Sequence, residues 1–159
     1  MTVLWSSLAG GLLGTLVLST VLRGAGELGL TRMDLPFLLG TSVTDNRTRA
    51  KVYGYLFHFA LGLGFAVLYG MCFAAIQRSG WWLGALVGAL HALFTSTVLV
   101  NIILPAIHRR VGTPETAADE IALIEPPGFL MLNYGRSTFL VTLISHIAYG
   151  AIVGWAVRV

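Results

Sequence analysis

The chain has little charge. Asp, Glu, Lys and Arg make up 11% of its 159 residues, against roughly 25% in soluble domains. Hydrophobic residues make up 56%, and mean hydropathy is +0.81. That balance excludes a water-soluble globular domain and points to an integral membrane protein. Cysteine is nearly absent: Cys72, inside an apolar run, is the only one. An intrachain disulfide, a Cys-x-x-Cys pair and a thiolate metal cluster are therefore excluded, and with them a thiol-oxidising four-helix quinone enzyme. No Lys or Arg precedes Arg23, so the first apolar run reads as a retained span and not as a cleavable signal. A Gly-rich phosphate loop, a Ser-His-Asp set and a nucleotide fingerprint are missing as well.

What is present is four apolar runs, at about 3–22, 52–76, 81–104 and 138–157. Each reaches the ~20 residues that a bilayer crossing requires. The expected fold is all-α: an integral membrane four-helix bundle forming one domain over 1–159. The connections 23–51 and 105–137 then lie at the interface. In the first, Thr31 or Asp34 is placed to cap a short helix with Pro36 in its first turn. Thr44-Asp45-Asn46 supplies cap candidates for the second span. Gln77–Gly80 reads as a tight hairpin, and Pro105 as the stop of the third span. In the third connection, Thr113-Pro114-Glu115 opens an acidic surface helix with Asp119 and Glu120. Phe129–Tyr134 reads as an interfacial apolar strip. His108, beside Arg109 and Arg110, reads as a headgroup contact.

The net charge of +3 does not indicate nucleic acid, because the basic residues flank the spans. Arg23, Arg32, Arg47, Arg49, Lys51, Arg109, Arg110 and Arg136 fall in the first and third connections, and only Arg78 and Arg158 on the other side. This eight-to-two bias puts those two connections in the cytoplasm and both termini outside.

The second span carries a stripe of small residues in steps of four: Ala50, Gly54, His58, Gly62, Ala66 and Gly70. All share one helical face. The fourth span repeats the pattern with Thr138, Thr142, His146, Gly150 and Gly154. Gly11 in the first span and Gly84 and Gly88 in the third add further small positions. Such stripes let backbones approach closely, and the expectation is that spans two and four meet through them. Offsetting the chain by 77 residues aligns Trp5 with Trp82, Gly11 with Gly88 and Ser19–Leu22 with Ser96–Leu99. An offset of 88 aligns His58-Phe-Ala-Leu-Gly62 with His146-Ile-Ala-Tyr-Gly150. This pattern predicts two tandem helical hairpins related by a pseudo-twofold axis along the membrane normal.

An imidazole within a span is a candidate site by default. His58 and His146, if facing, suit a haem b iron held from both sides. With His91 they suit a transition metal such as copper or zinc. The same rings also suit a proton-relay or small-solute path, or simple hydrogen bonds to neighbouring helices. Asp34, Glu125 and Arg136 are placed to rim a cytoplasmic mouth above the histidines, or to form solvated ion pairs.

Asp34-Leu-Pro36-Phe-Leu-Leu-Gly40, His58…Gly62, Glu125-Pro-Pro-Gly128-Phe with Asn133-Tyr-Gly-Arg136, and His146…Tyr149-Gly150 together resemble an uncharacterised family of small four-span bacterial membrane proteins. The resemblance implies four spans and a bacterial source, and no activity. The leading functional expectation is a non-enzymatic protein of the bacterial inner membrane, acting with lipid, with itself or as an accessory subunit of a larger complex. Haem or metal binding and a small channel or transporter are the alternatives.

Overall fold

A computed structural model of the chain describes residues 2–108, 110–111 and 124–159. Arg109 and the expected acidic helix with Glu115, Asp119 and Glu120 lie outside the described residues. The regular elements are α1 (Val3–Glu27), α2 (Leu35–Gly40), α3 (Arg47–Ile76), α4 (Trp81–Ile107) and α5 (Thr138–Ala156). Among the described residues the only strand-like pairing is a single bridge, Val111 with Ile124. Helices α1, α3, α4 and α5 are each long and apolar enough to cross a membrane.

Local signals act largely as the sequence predicts. Asp34 caps α2 by accepting from the Phe37 N–H at 3.0 Å, with Pro36 in the first turn. Asn46 caps α3 by accepting from the Arg49 N–H at 3.0 Å. That cap starts the helix at Arg47, more than a turn before the apolar run. Gln77 closes the hairpin in a left-handed conformation.

Pro105 does not stop the third span, which runs on to Ile107. The segment Thr95–Ile103 is wound as a π-helix, a wider winding found mainly in short insertions. Pro105 sits where that run returns to a final α-turn, so its missing N–H falls at a junction and not in a continuous ladder. The Asn101 side-chain amide donates to the Ser96 and Thr97 carbonyls within the same run.

Helix α1 packs against both α3 and α5, α5 packs against α4, and α2 lies on α3. The small residues make these contacts possible. A Cβ on Gly54 would fall on the Pro36 carbonyl, and one on Gly40 on the Ala50 carbonyl. Gly11 faces Ala66, and Gly62 faces Thr15. Gly84 and Gly88 interlock with Gly150, Gly154 and the His146 carbonyl. The seams therefore lie within one chain, but not where the stripes suggest. The stripe on α3 faces α1 and α2, and the stripe on α5 faces α4. Helices α3 and α5 meet only over a short stretch, and the backbones of α3 and α4 stand apart.

The two connections fold over the same end of the bundle. The Arg32 N–H donates to the Tyr134 carbonyl at 2.8 Å, and the Thr31 and Thr138 hydroxyls pair at 2.8 Å. The Tyr134 hydroxyl donates to the Glu125 carbonyl at 2.7 Å. Burial, with the Glu125 carboxylate nearby, pushes the Tyr134 phenol up to about 12. His108 is not a headgroup contact: it is 1% exposed. Its Nε2–H donates to the Leu38 carbonyl at 2.9 Å, and its Nδ1 accepts from the Arg110 N–H at 3.2 Å. The chain folds α2 over it, which no local pattern announces.

Candidate functional site

Three of the four histidines converge on one chamber of about 80 Å³ inside the bundle. His58 reaches it from α3, His91 from α4 and His146 from α5. Thr15, Thr142 and Tyr149 also line it, and the rest of the lining is mostly Leu, Val and Met.

His146 is fixed in orientation. Its Nδ1 lies 2.9 Å from the Thr142 carbonyl. A carbonyl only accepts, so Nδ1 carries the proton and Nε2 keeps its lone pair. The His91 ring stands edge-on to His146, with centroids 4.8 Å apart, and lies 4.0 Å from the Phe65 ring. His91 Nδ1 is 3.0 Å from the Tyr69 hydroxyl, which also lies 3.2 Å from the Val87 carbonyl. The Tyr69 hydroxyl has one hydrogen, so its donation to one of the two leaves the other contact to be made by His91 or lost.

His58 differs from both. It is 9% exposed, and its Nε2 is buried with no hydrogen-bond partner among the described residues. A buried polar atom without a partner costs about 1–3 kcal/mol, and such atoms are few in native structures. The ring stands in the wall between two spaces. One is the chamber. The other is an open vestibule of about 470 Å³ at the arginine-rich end of the bundle.

The vestibule is lined by Arg23, Glu27, Arg32, Asp34 and Lys51. Each cation has an acidic partner: Arg23 with Glu27 at 3.0 Å, Lys51 with Asp34 at 3.1 Å, and Arg32 with Glu125 at 3.3 Å. Exposed pairs of this kind contribute little stability, but they leave the rim nearly neutral. Asp34 lines this vestibule, and Glu125 is joined to it through Arg32. Arg136 is exposed and does not line the vestibule.

At the opposite end the chamber is closed. Tyr69, Phe73 and Tyr149 are buried there, and the Tyr149 hydroxyl donates to the Gly62 carbonyl at 2.6 Å. Sequence reasoning missed both tyrosines. A signal was available: Tyr149 lies one turn beyond His146, and Tyr69 three turns beyond His58, each on its histidine's face.

A haem does not fit. Whole-ligand sites span roughly 300–1,000 Å³, and the chamber is far smaller, with the His91 and His146 rings in contact across it. Nor do the three imidazoles form a metal cage. Among the described residues no three His, Cys, Asp or Glu side chains stand close enough together to hold an ion.

Comparison of the chain with protein-family models, with curated proteins and with solved structures gives no match, so the site's chemistry is read from its geometry alone.

Proposed function

We propose that the protein is a non-enzymatic, multi-pass protein of the bacterial inner membrane, a small carrier or channel that holds an uncharged, hydrogen-bonding ligand in the histidine chamber. The observation that carries this reading is the unpartnered Nε2 of His58, set between the vestibule and the chamber. A purely structural histidine would be expected to make the hydrogen bonds that His108 makes. A ligand hydroxyl or amide satisfies His58 when it arrives. The chamber takes no charged group readily, since its lining holds no Lys, Arg, Asp or Glu and a lone buried charge is costly.

The arginine-rich end, with the vestibule, is the cytoplasmic one by the distribution of basic residues, which leaves both termini outside. The chamber then opens inward and is closed outward by the tyrosines. The two halves descend from a duplicated hairpin, as the matched blocks around His58 and His146 suggest.

Purified protein exposed to a photoreactive diazirine-bearing butanol tests the reading. Labelling of peptides carrying His58, His91 or His146, lost in His58→Phe, supports it. Uniform labelling of the outer surface with none in the chamber overturns it and leaves the accessory-subunit reading in its place.

A further inference from the structure

A second space lies beside the chamber. Helix α1 packs closely against α5, but the backbones of the corresponding pair, α3 and α4, stand apart and meet through side chains, Tyr69 on Val87 and His91 and Phe65 on His91. Between them lies an apolar cleft of about 650 Å³, walled by Phe57, Leu61, Phe65 and Leu68 of α3 and by Leu104 and Ile107 of α4. Leu39, Leu61, Phe65 and Leu104 line both this cleft and the chamber, so one layer of side chains separates the two spaces. Gly64 sits in the cleft wall, and a Cβ there would meet nothing within 4 Å. The other glycines of α3, Gly54, Gly62 and Gly70, each have a neighbour pressed against them. Gly64 has no such neighbour.

We infer that the ligand is a neutral lipid alcohol, which enters sideways from the bilayer between α3 and α4, places its hydroxyl beside His58 Nε2 and leaves its aliphatic chain in the cleft. This inference rests on the chamber being a ligand site, and it names the ligand class.

Each part of the ligand answers a feature of the protein. The cleft is apolar and of the size that ligand sites usually have, and it opens on a side of the bundle that exposes Phe57, Leu61, Leu68 and Ile107. If these helices span the bilayer, that side faces acyl chains and not water. The chamber is too small for a whole ligand but admits a head. The head is uncharged, because the charged side chains of the site lie beyond His58 in the vestibule. It is a hydroxyl because a hydroxyl both donates and accepts. It therefore satisfies Nε2 in either tautomer of His58, whereas a carbonyl satisfies only one. No bond is made or broken. The protein takes the alcohol out of the lipid and presents its polar end toward the vestibule.

The experiment uses the full chain in phosphatidylcholine vesicles with three diazirine-bearing probes: hexadecanol, hexadecane and butanol. Hexadecanol is expected to label the segments around Leu61, Phe65 and Leu104. Gly64→Phe, which fills the cleft where there is room for a side chain, is expected to suppress that labelling. His58→Leu is expected to lower it by about ten-fold, the worth of one buried hydrogen bond, while hexadecane labelling stays unchanged. Leu61→Trp repeats the block from another position should Gly64→Phe fold poorly. Hexadecanol labelling that is insensitive to Gly64→Phe and Leu61→Trp, or equal to hexadecane at every position, overturns the inference. If butanol alone reaches the chamber and Gly64→Phe does not affect it, lateral entry is wrong and the chamber site stands. If no probe reaches the chamber, both fall.

Discussion

Replacing His58 by leucine should make the protein more stable, and the sign of that change is decisive. Nε2 of His58 is buried without a partner, which costs about 1–3 kcal/mol relative to a satisfied or apolar group. Leucine fills a comparable volume with no polar atom, and its neighbours in the chamber wall are Leu22, Leu35, Leu61 and Met33. The gain should be about 1–2 kcal/mol once imperfect fit is allowed for. For a chain of this size that is a rise in Tm of roughly 2–8 °C. His108→Leu is the matched control. It removes a donor from the Leu38 carbonyl and an acceptor from the Arg110 N–H, so it should cost about 1–3 kcal/mol. Thermal unfolding in mild detergent at pH 8, where an ordinary histidine is neutral, reads both. A fall in Tm for His58→Leu comparable to that of His108→Leu would mean that His58 holds a hydrogen bond inside the protein, and the ligand reading would go with it.

Other outcomes follow from the packing and the caps. Gly84→Leu and Gly150→Leu each drive a side chain into a facing backbone and should cost at least about 3 kcal/mol, seen as loss of the monodisperse peak in size-exclusion chromatography. Gly64→Leu, with open space around it, should elute as the wild type does. Tyr134, whose phenol is raised to about 12, keeps its proton in the folded state after the unfolded chain has lost it near pH 10. Its contribution is whole below pH 10 and disappears between 10 and 12, so Tyr134→Phe should flatten the stability profile over that window in an alkaline denaturation series. In a Cys72→Ala background, Ser79→Cys should react with an impermeant maleimide on intact cells, and Ser42→Cys only after permeabilisation; the reverse would invert the orientation. Protein purified from haem-replete cells should show no Soret band, since the chamber has no room for a porphyrin.

How much of this was written in the sequence depends on the range of the interaction. The four helices, the Asp34 and Asn46 caps and the turn at Gln77 depend on residues a few positions apart, and all were legible. The small stripes announced close neighbours but not which ones. A glycine says only that something presses there, and the partners of α3 proved to be α1 and α2. His91 and His146 come together because α4 and α5 interlock at Gly84 and Gly150, a contact between residues more than sixty positions apart in the chain. His108 was misread because its surroundings are supplied by α2, far away in sequence. Pro105 was misread because its effect depends on the winding of the turns before it.

The hydroxyls on the helices have a mechanical consequence. Ser6, Ser7, Thr15, Ser19, Ser96, Thr97 and Ser145 all turn back and bond carbonyls of their own helices. They do not tie one helix to the next. Cohesion along the three close seams therefore comes from dispersion between touching backbones, and a gap of about 0.5–1 Å already forfeits a quarter to a half of it. Those joints hold firmly or let go altogether. The fourth side has no such joint: α3 and α4 meet there through side chains, Tyr69 on Val87 and His91 and Phe65 on His91, so widening on that side would ask for a shift of side chains and not the parting of a backbone seam.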